Sequence, residues 1–143
     1  MNQIFYASFI RFPAEKAHAL YVAKSCEAFA RSVKDVRLLV PRRIGSDKQN
    51  FKQFFNLKND FSLVRFPCID LVWLPAGKAI AHKLGLVTFG LGIFLYVLFQ
   101  GRKDTLLFTN DSFVALVASF SKVRVVYEVH DYPEGLWWFY RMV

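Results

Sequence analysis

The chain has 143 residues, 55% of them hydrophobic and 17% aromatic, which is long enough for one core and too apolar for a disordered segment. Nineteen Lys and Arg against eleven Asp and Glu give a formal charge of +8, a balance that favours anionic partners such as nucleotides, phosphorylated substrates, nucleic acid or an acidic membrane face. The two cysteines, Cys26 and Cys68, have neither paired spacing nor histidines at metal-ligand spacing, so a metal site and a disulfide framework are not expected and a reducing cytoplasm fits.

The chain opens with MNQIFYASFIRF, which is apolar but lacks a basic leader region and a small-residue cleavage site, and Arg11 interrupts it early. Residues 3–9 read as a first strand. Pro13 sits where a helix can begin, and residues 14–32 follow with a helical period. Ala19, Val22, Ala23, Cys26, Phe29, Ala30 and Val33 recur at three-and-four spacing as one buried face, with Lys16, Lys24, Glu27 and Arg31 off it. DVRLLVP (35–41) predicts a second strand ended by a proline, and FSLVRFP (61–67) a third. Between them, residues 42–60 are polar, basic and aromatic without a clean period, which predicts a long loop or a broken helix.

Leu84 to Phe99 is uncharged throughout and falls short of the roughly 20 residues that a spanning helix needs. Lys78, Lys83, Arg102 and Lys103 flank it. The expectation is a helix buried against a sheet, or one with an exposed apolar stripe; monotopic membrane contact and a true span are the alternatives, in that order. TLLFTN (105–110) predicts a fourth strand and SFVALVASF (112–120) a short helix. The last strand-like run holds Val123, Val125, Val126, Tyr127 and Val129, yet Glu128, His130 and Asp131 crowd its end.

Strands separated by helices imply parallel pairing through right-handed crossovers, and near-continuous apolar runs imply burial on both faces. The expected fold class is α/β, a Rossmann-like open, mostly parallel, doubly wound sheet, with residues 1–143 forming a single domain. Such sheets bind ligands at the carboxyl ends of their strands, where the strand order reverses. If the first and fourth strands flank that point, Arg11, Lys16, His18, Asn110, Asp111, Glu128, His130 and Asp131 can converge there.

Each of these residues has a plainer alternative. His130 can be a histidine satisfied by backbone, although Asp131 and Glu128 beside it can orient an imidazole for chemistry. Asn110 and Asp111 can simply cap the helix that starts at Ser112. Lys16 and His18 lie in the first turn of a helix whose N-terminus attracts anions, or they are merely solvated. Arg42 and Arg43 read as an exposed basic turn rather than a phosphate site. There is no G-x-G-x-x-G, no G-x-x-x-x-G-K-[ST], no G-x-S-x-G and no Asp-x-Asp pair, so dinucleotide, P-loop and serine-hydrolase chemistry and a metal held on a sugar-nucleotide diphosphate lack support.

FPAEKAHALYVAKSCEAFA, followed by VRLLVPRR and later by LLFTND and VVYEVHDYP, resembles the acceptor-side N-terminal domain of GT-B glycosyltransferases of the family-4-like group. The likeness runs through nearly the whole chain and is most specific in the Pro-Ala-Glu-Lys-Ala-His and Glu-Val-His-Asp stretches. It implies a retaining, metal-independent transfer of a sugar from a nucleotide-sugar donor to a glycan or lipid-linked acceptor, with no cofactor. It also implies that His130 lies near the reacting sugar, that Asn110 and Asp111 face the acceptor, and that the loop from Ile10 to His18 lines the cleft. Where many relatives have glycines in that loop this chain reads FIRFPAEK, so diphosphate contact through it is not expected. No candidate for the donor-binding C-terminal domain or its Glu-x7-Glu motif follows, and LWWFYRMV is an aromatic end, so a truncated chain that is inactive alone is expected.

The expected location is cytoplasmic, and a secondary expectation is peripheral contact with the inner face of the cell membrane, where a cationic, aromatic surface suits a lipid-linked acceptor and Leu84 to Phe99 add an apolar foot. The rival readings are a non-catalytic nucleotide- or anion-binding module and a small membrane-associated protein. Nucleic acid is not an expected partner, because the basic residues are dispersed and no helix-turn-helix or RNA-binding signature is present.

Overall fold

The computed structural model describes residues 2–43, 50–69 and 78–129. Five strands, β1 (Gln3–Ala7), β2 (Asp35–Pro41), β3 (Ser62–Phe66), β4 (Thr105–Thr109) and β5 (Arg124–Tyr127), form one sheet in the order β3-β2-β1-β4-β5, every neighbouring pair parallel. Four helices join them among the described residues: α1 (Ala17–Ala30), α2 (Phe51–Phe54), α3 (Lys78–Gln100) and α4 (Ser112–Ser119). This is the expected Rossmann-like α/β architecture, an open sheet that grows outward from a central β1 in both directions.

The alternation of side chains along each strand explains the two layers. Ile4, Tyr6, Val36, Leu38 and Val40 face α1 and pack with Ala19, Val22, Ala23 and Cys26. Phe5, Ala7, Leu39 and Leu107 face the other way and pack with Phe89, Ile93 and Val97 of α3 and Val114 and Ala118 of α4. Leu38 and Leu39 are adjacent in sequence yet both fully buried, which is possible only where both sheet faces are covered. Each such leucine contributes about 1.5–3 kcal/mol by leaving water. Arg37 of β2 is tethered to α3, since its guanidinium donates to Tyr96 Oη at 2.8 Å and to Asp35, and lies 5.6 Å from the Phe5 ring centre.

Two expectations need correction. The helical period sets Glu27 off the buried face of α1, but it is 4% exposed. Its carboxylate accepts the backbone N–H of Lys58 and, at 3.3 Å, that of Asn59, and it pairs with Lys24 Nζ at 3.0 Å. These bonds, led by the Lys58 N–H, hold the Glu27 carboxyl down to about 2. A periodicity argument treats a carboxylate as solvated and does not see a loop that comes back to satisfy it. The apolar helix was bounded at Leu84 by the absence of charge, but α3 begins at Lys78 and runs 23 residues. Lys83 and His82 are compatible with a helix, so the absence of charge does not mark its start.

Elsewhere the differences are at element ends. β2 keeps its expected limits, and the other strands stop one or two residues inside theirs, as hydrogen-bonded boundaries do. Among its described residues, the long segment between β2 and β3 contains the single turn α2, capped by the Asn50 side chain accepting from Lys52 N.

Candidate anion-binding site

At the carboxyl edge of the sheet the chain leaves β1 and β4 side by side. Ser8, just past β1, donates its backbone N–H to Leu39 O of β2, and its Oγ donates to Asn110 Oδ1 at 2.9 Å. Asn110 Nδ2 lies 2.6 Å from His18 Nε2 in the first turn of α1. An amide Nδ2 only donates, so this pairing puts the imidazole proton on Nδ1 and leaves Nε2 as acceptor. Three elements are thereby tied at the point where the strand order reverses.

Asp111 takes the position before α4 but does not cap it with its side chain. Its Oδ2 instead accepts the backbone N–H of Phe9 at 2.6 Å, across the crevice. Burial pushes the Asp111 carboxyl above its ordinary value of 3.8, against the opposing pull of the Phe9 N–H and the His82 imidazole. The alternative that Asp111 is a helix cap by side-chain bonding is therefore not what the structure holds; its bond reaches from β4 to the loop after β1.

Phe9, fixed in this way, forms one wall of a hollow of about 370 Å³. The Arg43 guanidinium lies 4.9 Å from its ring centre, and His82 of α3 packs edge-on at 5.3 Å. Gly85 allows this approach, because a Cβ there would lie 2.9 Å from Phe9 Cζ. Among the described residues, Arg11, Lys16, His18, Arg43 and His82 are the ionisable groups of the lining. The first turn of α1 opens on the same hollow, with Lys16 at its N-cap, no acidic residue in the turn and no side chain capping it. The positive end of the helix dipole and the side-chain cations together favour a negative group.

Glu128 sits elsewhere on the edge. Its carboxylate accepts from Tyr6 Oη at 3.2 Å and from Tyr21 Oη, and its backbone N–H donates to Thr109 O at 2.8 Å. Burial and the neighbouring carboxylate push the Tyr6 phenol well above the usual tyrosine range. Glu128 thus pins the end of β5 to β1 and α1, and it does not line the hollow. Its link to the hollow runs through Tyr21, whose ring centre is 6.5 Å from that of His18.

Of the residues expected to converge, Arg11, Lys16 and His18 line the hollow, Asn110 and Asp111 brace it from beneath, and Glu128 stands beside it. His130 and Asp131 lie outside the described residues. Sequence reasoning missed Arg43, read as an exposed basic turn, and His82, read as part of no site. Arg43 is the second residue past the carboxyl end of β2, a position that could have flagged it; His82 left no signal, because only the long crossover of α3 from β3 to β4 carries it back over β1.

A second hollow, about 460 Å³, lies at the opposite edge among Lys34, Asp35, Phe51, Lys52, Asp60 and Ser62. It mixes both signs of charge, with Lys52 and Asp60 paired at 2.5 Å, and it sits at the amino ends of β2 and β3. Open α/β sheets hold ligands at the other end, so the cationic hollow is the candidate site. Compared with models of known protein families, with curated proteins and with solved structures, the chain matches none.

Proposed function

We propose that this chain is the acceptor-side Rossmann-like half of a retaining glycosyltransferase, and that the side-chain cations of its carboxyl-edge hollow, in place of the loop glycines it lacks, take an anionic part of a nucleotide-sugar or of a phosphorylated, lipid-linked acceptor. The observation that carries the reading is the convergence of Arg11, Lys16 and Arg43 with two imidazoles on one hollow where β1 and β4 part. The resemblance of the Pro-Ala-Glu-Lys-Ala-His and Glu-Val-His-Asp stretches to the family-4-like group adds the sugar-transfer chemistry. In that reading His130 contacts the donor sugar and the Asn110–His18 pair orients a hydroxyl-bearing acceptor.

One observation favours a second reading, a non-catalytic anion-binding module: the ionisable groups among the hollow's described lining residues are all basic. Transfer requires groups that recognise sugar as well as phosphate; simple anion capture does not.

Amide and imidazole NMR titration separates the two. The chain would be titrated with inorganic pyrophosphate, nucleoside diphosphates and nucleotide sugars, reading the amides of Phe9, Ile10, Arg11 and His18. The transferase reading expects nucleotide sugars to shift these signals further than the matching nucleotide. Saturation of the same shifts by pyrophosphate alone would support the module instead. Silence at this edge with every ligand would remove both.

A further inference from the structure

We propose that the outward face of α3 is a docking surface for an anionic lipid bilayer, on which the helix lies flat. The proposal does not rest on the glycosyl-transfer reading. Ala81, Phe89, Ile93 and Val97 turn one face of α3 into the core. The opposite face carries Ile80, Leu84, Val87, Leu91, Leu95 and Leu98, each between 38% and 66% exposed, at three-and-four spacing along the whole helix. Phe99 closes the row at 82% exposed. A helix that covers a sheet ordinarily shows water a polar face. Here both faces are apolar, and the continuous outward row is on the order of 600 Å², the upper end of what a monomer leaves to solvent.

The charge around the row selects its occupant. Among the 23 residues of α3 there is no Asp or Glu. Lys83 is exposed within it, exposed Arg102 and Lys103 follow its end, and exposed Lys122 follows α4 at the same edge of the sheet. Aliphatic side chains flanked by cations match the acyl and headgroup layers of an anionic bilayer. A second copy would bring the same cations against each other in a chain of net charge +8, which opposes self-association.

The orientation follows from what holds the inner face. α3 is long and apolar enough to cross a bilayer by length and composition alone. Standing upright in lipid would require it to leave Phe5, Leu39 and Leu107, to break the Tyr96–Arg37 bond, and to part from α4 at Gly90, where the ring of Phe113 fills the space of a Cβ. Lying flat keeps every one of these contacts and still buries the outward row.

The test is flotation of the chain with phosphatidylcholine vesicles and with mixed phosphatidylcholine–phosphatidylglycerol vesicles. Binding to the mixed vesicles is expected, weakened by salt and by omitting the anionic lipid. The double change Leu91→Asp and Leu95→Asp should lower partitioning by about thirtyfold or more with an unchanged circular dichroism spectrum, because both side chains face water. Depth is read on a Cys68→Ser background, with Ile80→Cys, Leu91→Cys or Phe99→Cys carrying a fluorophore quenched by shallow or deep nitroxide lipids. Equal depth at all three positions is expected; a deep position 91 between shallow ends would overturn the flat orientation in favour of a span. No flotation with either vesicle, or a concentration-dependent dimer in sedimentation that the double change abolishes, would overturn the lipid assignment itself.

Discussion

Replacing Asp111 tests the geometry of the candidate site through stability. Its Oδ2 accepts the Phe9 N–H at 2.6 Å, a charge-assisted bond to an amide that has left β1. Bonds to charged groups contribute roughly 1.5–3 kcal/mol net. The carboxylate also carries a desolvation cost, seen in its raised pKa, and Asp111→Ala removes that cost along with the bond. The expected net loss at pH 7 is therefore about 1–2 kcal/mol, or roughly 3–8 °C in Tm for a chain of this size. Asp111→Asn keeps an oxygen acceptor without the charge and should stay within about 0.5 kcal/mol of the parent.

The pH dependence has a definite sign. The folded pKa of Asp111 lies above the unfolded 3.8, so the folded chain holds the proton more tightly. The associated stability is present below 3.8 and is lost as pH rises through the folded pKa. Asp111→Asn has no such loss and should gain on the parent as pH is raised from below 4 to 7. Urea unfolding followed by far-UV circular dichroism at a series of pH values measures both effects. An Asp111→Ala midpoint equal to that of the parent, or an Asn variant as damaged as the Ala variant, would refute the bridging role assigned to this carboxylate.

Glu27 should behave oppositely: with its folded carboxyl at about 2 against an ordinary 4.5, its contribution is present above 4.5 and lost as pH falls towards 2. Acid unfolding of Glu27→Gln should consequently be shallower than that of the parent across that window, and identical acid titrations would remove the Lys58 contact from the account. Gly90→Val would set a Cβ 2.6 Å from Phe113 Cδ1 and should cost about 1–3 kcal/mol in urea unfolding by forcing α3 and α4 apart; an unchanged midpoint would contradict that packing. Burial pushes the Cys26 thiol far above its normal value, whereas Cys68 is half-exposed near Arg42 O at 3.7 Å. A disulfide reagent should modify Cys68 alone in the native chain and both thiols in denaturant, and early modification of Cys26 would argue against the α1 packing.

The strands and α1 were legible because burial imposes a period that the sequence must carry. Ala19, Val22, Ala23 and Cys26 are fully buried as their spacing requires, and the apolar runs of β1 and β2 correctly implied a sheet covered on both sides. Glu27 was illegible because its partners, Lys58 and Asn59, come from a segment with no period of its own. The extent of α3 was misread because absence of charge was used as a boundary, although charged residues join helices freely while Pro and Gly discourage them. In the site, Lys16 and His18 could be placed from the helix start alone. His82 could not, since its arrival depends on how a 23-residue crossover passes over the sheet.

The polar groups at the carboxyl edge divide into two kinds once their partners are known. Ser8 with Asn110, Phe9 with Asp111, and Tyr6 and Tyr21 with Glu128 satisfy one another across strand ends. Each pairing relieves the cost of withdrawing a polar group from water, and together they fix where the ends of β1, β4 and β5 lie relative to α1. The cations, by contrast, converge on the hollow, with no carboxylate among its described lining residues. An acid in that position would neutralise the field, so carboxylates tied to phenols and to a backbone amide can remain on the edge without competing for the ligand. The division explains why one rim can be rich in both signs of charge and still present a basic hollow. It also makes the two sets separable: changing Glu128 should act on stability first, and changing Lys16 or Arg43 on anion affinity first.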